Sequence, residues 1–251
     1  SSDLSKYTGM NTSTFFPKEW GIVNYKNLLF SADSVAQFPN WFQNTFLIAC
    51  ATCVISTIFV LMVAYATSCM RFKMRKTLMN VAVILNLFPG VLSMIAVYFI
   101  LKSFNLTNSH IGLILIYSAS SGLGYLIAKG FLDTVPVSLR EAAYLDGASE
   151  ARVFFRVVMP MSKPIIVYTV ISSFLVPWMD FVFAKMILNS GVSSQWTVAI
   201  GLYNMLEKSL INTYFTQFCA GGVIVSIPIS VLFIIMQKFY VEGVTGGAVK
   251  G

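Results

Sequence analysis

The chain has 251 residues, of which 57% are hydrophobic and 11% are charged, and its formal charge is +7. Soluble domains are about 45–50% apolar and about 25% charged, so this composition excludes an ordinary soluble domain. Disordered chains, disulfide scaffolds and coiled coils are excluded as well, because they need high charge, dense cysteine or charged heptads. The composition therefore predicts a membrane protein.

Residues 1–40 are predicted to form an extracytoplasmic loop ahead of the first long apolar stretch. The segment contains Pro17, Pro39 and several Trp, Tyr and Phe residues. Aromatic residues are enriched where a protein meets the membrane surface. The chain begins at Ser1, without a Met. Five spans with an N-terminus outside the cell, as predicted below, are an unusual combination, so we expect a further span upstream.

Five stretches are apolar and long enough to be spans, since about 20 apolar residues are needed to cross about 30 Å of hydrocarbon. They predict an all-α membrane protein, a multi-span helical bundle with five spans in this chain and six with the upstream one. The predicted spans are residues 42–70, 77–101, 111–128, 164–188 and 218–236.

The Lys and Arg residues between spans predict the orientation, because cytoplasmic loops carry an excess of them. With the loop after the first span inside, eleven of the 17 fall on the cytoplasmic side. These are Arg71, Lys73, Arg75, Lys76, Lys129, Arg140, Arg152, Arg156, Lys163, Lys238 and Lys250. The positive charge is thus a signal of membrane topology with a cytoplasmic C-terminus, and it gives no support to nucleic-acid binding.

No catalytic or metal site is predicted. Cys50 and Cys53 lie one helical turn apart in an apolar span, without the further ligands of a tetrahedral metal site. The sole histidine, His110, falls in a short outer loop. The sequence has no G-x-x-x-x-G-K-[ST] phosphate loop, so any ATP that drives transport would be bound by a separate subunit.

The inner loop of residues 130–163 is predicted to fold as helix, turn, helix. Ser138 and Glu141 have the spacing of a capping box, and Gly147 suits a left-handed helix end. The first helix is expected at about residues 139–146. Ser149 is expected to cap a second helix that ends near Pro160. Ala142 and Ala143 leave a shallow surface, so the loop either docks into a partner's groove or covers the bundle as a lid.

This loop resembles the EAA loop of permease subunits of binding-protein-dependent ATP-binding-cassette (ABC) importers. The family pattern reads E-A-A, three residues, G, nine residues, I-x-L-P. Here Glu141-Ala142-Ala143 is followed at the same spacing by Gly147 and by Val157-Val158-Met159-Pro160. Val157 and Met159 replace the preferred Ile and Leu, which are mild changes of shape. The resemblance implies the type I permease fold of ABC importers.

The resemblance also implies partners and a place in the cell. The chain would be a multi-pass protein of the bacterial inner (plasma) membrane, paired with a second permease subunit and two ATPase subunits. An extracytoplasmic solute-binding protein would deliver an oligosaccharide. The chain itself would bind no cofactor, since ATP and Mg would be held by the ATPases, and would catalyse no reaction.

In that family the loop is the coupling helix, which sits in a cleft of the ATPase. The docking residues implied here are Glu141, Ala142, Ala143 and Gly147, with Pro160 at the end of the motif. Arg140, Asp146 and Arg152 are candidates for charge pairs at the rim. A hinge motion of the ATPases would become a tilt of the spans through such a helix.

The resemblance extends over nearly the whole chain. Phe16-Pro17-Lys18 resembles the first outer loop of carbohydrate permeases, and Trp178 with Asp180 and Phe181 resembles the W-x-x-F stretch of their fifth span. The Gly-rich end is similar to the tail of maltose and maltodextrin permeases of the MalG type. The tail of residues 241–251, with Gly246, Gly247 and Lys250, either reaches the ATPases or is disordered.

A sugar pathway needs hydrogen-bonding groups and aromatic faces inside the bundle. The candidates are Asn86, Tyr117, Tyr125, Asp180 and Gln217. An ionisable group in an apolar span is a functional candidate, with Lys185 as a partner for Asp180. Alternatively these residues bond between helices or lie at a subunit interface. Pro89-Gly90 and Pro177 are expected to bend or break their helices.

Two further readings remain open at this stage. The outer loop of residues 189–216 either meets a binding protein, as in the family, or forms an amphipathic helix on the membrane. For the permease domain of residues 41–251, the rival function is a self-sufficient secondary transporter or channel, which would show internal repeats with broken helices. A membrane enzyme is weaker still, because no acid-base or metal constellation is found.

Overall fold

The computed structural model describes residues 21–30, 36–119 and 122–248, with side chains described in these ranges except at 122, 123 and 238–248. Within these ranges every regular element is helical, which confirms the predicted all-α fold. The helices are α1 (Val23–Phe30), α2 (Phe38–Cys69), α3 (Arg75–Asn86), α4 (Gly90–Ser103), α5 (His110–Ala119), α6 (Gly122–Leu132), α7 (Val137–Leu145), α8 (Glu150–Val153), α9 (Met159–Met161), α10 (Lys163–Met179), α11 (Val182–Ile187), α12 (Val198–Asn204) and α13 (Ile211–Ala248).

Among the described residues, two helices are each long and apolar enough to cross a bilayer, namely α2 and the part of α13 from Ile211 to Gln237. Three pairs of helices meet the same criterion only jointly, because each pair is bent at a short break. Counting each pair as one span gives up to five, in agreement with the five apolar stretches of the sequence. Residues 1–20 and 31–35 of the predicted first loop lie outside the described residues.

The second predicted span is broken at Pro89, as the sequence suggested. Helices α3 and α4 meet at 104°, so residues 77–101 do not form one straight helix. Pro89 has no N–H to continue the hydrogen bonds of α3, and its carbonyl instead accepts from Leu92 and Ser93 in the first turn of α4. Proline at this position starts a new helix in a new direction.

The fourth predicted span, residues 164–188, is also interrupted. Helix α10 ends at Met179 and α11 begins at Val182, so the span is broken just after Pro177, as the sequence suggested. Pro177 lies within α10, close to this end. At the other end, the segment Glu150–Met161 meets α10 at 85°.

The chain divides into two compact units. The first comprises Ser1–Ala49, Leu101–Leu113 and Leu175–Val231, and the second comprises Cys50–Ile100, Ile114–Phe174 and Leu232–Gly251. Long helices such as α2 contribute to both.

In the first unit, Trp41 is fully buried and its Nε1 donates to the carbonyl of Ser193 at 2.8 Å. Gly201 lies against this indole, and a Cβ at that position would overlap the ring. Thr45 Oγ1 accepts from the N–H of Val198 at 2.8 Å, at the start of α12. These contacts anchor the predicted outer loop of residues 189–216 to α2, so the loop is not a free amphipathic helix.

In the second unit, α2, α6 and the inner loop share one apolar core. Ala64, Val153 and Val158 have no exposed surface, and Leu132 is 2% exposed. Burying a Val or Leu side chain stabilises a fold by about 1.5–3 kcal/mol. The inner loop is therefore fixed to the spans by its second half, residues 150–161.

Candidate functional site

The inner loop folds as the predicted helix, turn, helix. Helix α7 ends at a Schellman turn, in which the N–H of Ala148 donates to the carbonyl of Ala143 at 2.9 Å and that of Gly147 donates to Tyr144 at 3.0 Å. Gly147 has φ = +76°, a left-handed conformation that side chains with a Cβ rarely adopt. The predicted role of Gly147 as the end of the first helix is confirmed.

The predicted capping box is wrong. Helix α7 begins at Val137 with Pro136 as its N-cap, and no side chain caps it, so Ser138 lies inside the first turn. Proline fixes the backbone at the helix start and replaces the cap that the S-x-x-E spacing suggested. Ser149, in contrast, accepts from the N–H of Arg152 and caps the second helix as predicted. That helix runs through a π-helical turn, Phe154–Val158, past Pro160 to Met161.

One face of α7 is open. Ser138, Glu141, Ala142 and Leu145 follow the i, i+3, i+4, i+7 spacing of a single helical face and are all exposed. Leu145 is 90% exposed, although leucine is among the residues most often buried. Sequence reasoning missed Leu145, and its place one turn after Glu141 and Ala142 was the signal that would have found it.

The two alanines of the motif do not share a surface. Ala142 is exposed, whereas Ala143 is half-buried and packs against the core of the second unit. Successive residues on a helix lie about 100° apart, so Ala142 faces outward while Ala143 turns toward the bundle. Ala143 instead needs a small side chain to let α7 approach the bundle.

A hydrogen-bonded clamp of Tyr65, Tyr144 and Glu150 ties the loop to α2. The hydroxyl of Tyr65 donates to Glu150 Oε2 at 2.8 Å, and that of Tyr144 donates to Oε1 at 2.9 Å. Burial raises the pKa of Tyr144, and the bond to Glu150 adds to this rise, whereas the Tyr65 hydroxyl opposes it; the net shift is upward, so the Tyr144 hydroxyl keeps its proton. Both carboxylate oxygens are used, which fixes α7 and α8 relative to α2.

Arg140 also connects α7 to α2, and it is half-buried. Its Nη1 donates to the carbonyl of Cys69, the last residue of α2, at 3.2 Å. A cation is favourable there because the helix C-terminus carries partial negative charge. Asp146 and Arg152 are exposed, so of the three rim candidates only these two present their charge outward.

We expect Glu150→Ala to loosen the loop, because two hydroxyls lose their charged acceptor. Such a bond contributes about 1.5–3 kcal/mol when buried, and this partly exposed pair is expected to contribute about 1–2 kcal/mol in all. The measurement is the rate of proteolysis within residues 130–163. The matched control is Glu141→Ala, which removes a carboxylate that takes no part in the clamp. Equal proteolysis of both variants would contradict the clamp.

The sugar-pathway candidates divide between the two units. Asn86, Tyr117 and Tyr125 lie in the second. The Asn86 side chain donates to the carbonyl of Ala82 at 2.8 Å, within its own helix. Tyr117 is 6% exposed, and Tyr125 packs against the core that holds the inner loop. Tyr125 is therefore placed beside the loop as a packing residue.

Asp180 and Gln217 lie in the first unit. The Asp180 carboxylate accepts from the backbone N–H groups of Phe183 at 3.2 Å and Ala184 at 3.0 Å, so it caps the start of α11. Its predicted partner Lys185 has Nζ 4.8 Å from the centre of the Trp196 ring. Gln217 Oε1 is buried and has no hydrogen-bond partner among the described residues.

The Gly-rich tail is helical as far as it is described. Gly246 and Gly247 belong to α13, which ends at Ala248, and Lys250 lies outside the described residues. Among the described residues, no group of three or more His, Cys, Asp or Glu side chains is arranged to hold a metal ion.

Comparison with known proteins agrees with this fold. An ABC transporter that imports the acidic polysaccharide alginate, known from a crystal structure, superimposes with a TM-score of 0.72 over 86% of this chain and 79% of its own, at 19% identity. Its likeness supports the permease fold of ABC importers.

Three relatives are permeases of sugar transport systems. GanQ of Bacillus subtilis, a galactooligosaccharide permease, is 34% identical over 96% of this chain and 84% of its own length. The maltodextrin permease MalD of Streptococcus pneumoniae is 30% identical over 85% and 76%, and the maltose/maltodextrin permease MalG of Vibrio vulnificus is 33% identical over 85% and 74%. The model of the family described as "Binding-protein-dependent transport system inner membrane component" matches residues 61–246. The relatives of this chain, which include MalG-like carbohydrate permeases, are transport proteins and not enzymes. The chain therefore belongs to this family of ABC importer permeases.

Proposed function

We propose that this chain forms half of the translocation pathway of an ATP-driven oligosaccharide importer and receives the force of ATP hydrolysis through residues 130–163. The observation that carries the proposal is the open face of α7, with Glu141, Ala142 and Leu145, on a loop whose other face is fixed to the spans. A rigid docked helix transmits a push, whereas a free loop would absorb it.

The proposed partners are a second permease subunit, two ATPase subunits and an extracytoplasmic binding protein. The ATPases would hold ATP and Mg on the cytoplasmic side, next to the inner loop and the C-terminus. The distribution of Lys and Arg supports this orientation. The open face suits a partner cleft better than a lid, since a lid would turn its apolar side chain Leu145 toward the bundle.

For the substrate we propose maltodextrin, with galactooligosaccharide as the second candidate. Several relatives are named as maltodextrin permeases, which supports the first candidate. GanQ, a galactooligosaccharide permease that aligns over 96% of the chain, supports the second. Gln217 is the candidate contact in either case, because its buried Oε1 accepts no hydrogen bond from the described residues.

The test is uptake of labelled maltodextrin by proteoliposomes that contain the whole importer and its binding protein, with and without internal ATP. We expect ATP-dependent uptake that excess unlabelled maltodextrin suppresses. If labelled galactooligosaccharide is taken up and labelled maltodextrin is not, the second substrate is correct. Uptake that needs neither ATP nor the ATPases would overturn the proposal in favour of a secondary transporter.

Gln217→Leu should reduce uptake with little effect on assembly. The change keeps the volume of the side chain and removes the acceptor, and one hydrogen bond contributes about 0.5–1.5 kcal/mol, or roughly three- to tenfold in affinity. The apparent KM for sugar is the measurement. Gln43→Leu, at an exposed position of α2 in the same unit, is the control. An unchanged KM in Gln217→Leu would remove this residue from the pathway.

A further inference from the structure

A basic hollow lies between the end of α2 and the first turns of α3, in the second unit. The cavity has a volume of about 950 Å³ and is open to the outside. Five cations line it: Arg71, Lys73, Arg75, Lys76 and Lys129. The described residues that line it include no carboxylate, so the hollow concentrates positive charge in a small volume.

Asp133 does not line the hollow itself, but it pairs with one of the lining cations, Lys129. Lys129 Nζ donates to Asp133 Oδ2, and Ser68 Oγ donates to Oδ1 at 2.6 Å. Burial would raise the pKa of Asp133, but these bonds and the nearby charge of Arg75 outweigh it and lower the pKa. Lys129 is thus held in place by Asp133, and the other four cations of the hollow lie outside this ion pair.

The hollow is also partly apolar. Phe72 and Met79 line it, and Asn80 offers an amide beside them. The rest of α3 has no buried residue in the described structure, and Leu78, Val81, Ile84 and Leu85 on it are each 46–66% exposed. A lipid molecule matches this arrangement, because its charged headgroup suits the basic pocket and its acyl chains suit the apolar helix face.

We propose that the hollow binds the headgroup of an anionic phospholipid, whose acyl chains lie along α3. The cations would contact the phosphate, the Asn80 amide would donate to headgroup oxygens, and the exposed apolar side chains of α3 would contact the chains. A free phosphate ion would satisfy the cations and leave the apolar walls in water. Basic pockets at the cytoplasmic end of spans bind acidic lipid headgroups on these grounds. The proposal depends on α2 crossing the membrane and is independent of the transported sugar.

The test uses the complete importer in lipid nanodiscs, with native mass spectrometry to count bound phosphatidylglycerol against phosphatidylcholine. We expect the wild type to retain phosphatidylglycerol. Arg75→Gln/Lys76→Gln should weaken binding roughly 10- to 30-fold, since each cation near a membrane surface contributes about fivefold. Lys26→Gln/Lys102→Gln removes two exposed cations outside the hollow and should change nothing.

Two further arms separate the alternatives. Inorganic phosphate, added alone to the delipidated complex, tests the other source of the same anion, and its binding without a preference for phosphatidylglycerol would overturn the proposal. Equal retention of both lipids by the wild type would overturn it as well. Because these cations also set topology, Arg75→Lys/Lys76→Arg, which keeps the charge, should bind like the wild type. For the wild type itself, raising salt from about 50 mM to about 500 mM should weaken phosphatidylglycerol binding selectively.

Discussion

Leu145→Ala is expected to weaken the binding of this subunit to the proposed ATPase subunits. Leu145 is 90% exposed and is the last residue of α7. Docking would bury it in the partner's cleft. Losing the burial of a leucine side chain costs about 1.5–3 kcal/mol, which corresponds to roughly 10- to 100-fold in the affinity of the two subunits. The measurement is co-purification of the ATPases together with ATP-driven uptake in the same preparation.

The fold of the variant should be intact, because an exposed side chain contributes little to the stability of the free chain. Leu87→Ala is the matched control: Leu87 is 79% exposed in the same unit but lies at the break between α3 and α4, away from the loop. Equal loss of ATPase in both variants would indicate a general defect. Full retention in Leu145→Ala would show that the open face of α7 is not the dock.

Gly147→Val is expected to abolish coupling between ATP hydrolysis and uptake. No atom lies within 4 Å of a Cβ at this position, so the cost is in the backbone, at φ = +76°. A β-branched residue in the left-handed region costs about 1–3 kcal/mol, and here the strain is relieved when the Schellman turn opens and α7 turns away. We expect at least a tenfold loss of uptake, with ATPase activity no longer stimulated by the loaded binding protein.

Gly147→Asn is the variant that isolates the cause, because asparagine tolerates the left-handed region. It should keep most of the uptake. Gly191→Val provides the same strain, at φ = +73°, in the first unit, and should leave ATPase association unchanged. If Gly147→Asn fails as completely as Gly147→Val, the glycine is required for close approach of a partner and not for its backbone conformation.

Several features of the chain were predictable because they depend on local sequence. Apolar stretches of span length identify a helical membrane protein, since water-free hydrocarbon leaves few ways to pair backbone groups. Pro89 predicts the break between α3 and α4, and Gly147 predicts the end of α7, because each acts through its own backbone dihedrals. The EAA spacing is likewise local, and it is sufficient to indicate the family.

Other features depended on residues that are distant in sequence. The clamp joins Tyr65 to Glu150, 85 positions apart, and only the packing of α2 against the loop brings them together. The same packing decides that Ala143 faces inward and Leu145 outward. The sequence by itself determined the spans, the breaks and the family; the tertiary structure alone decided which face of the loop is buried, because burial depends on neighbours that a local pattern does not contain.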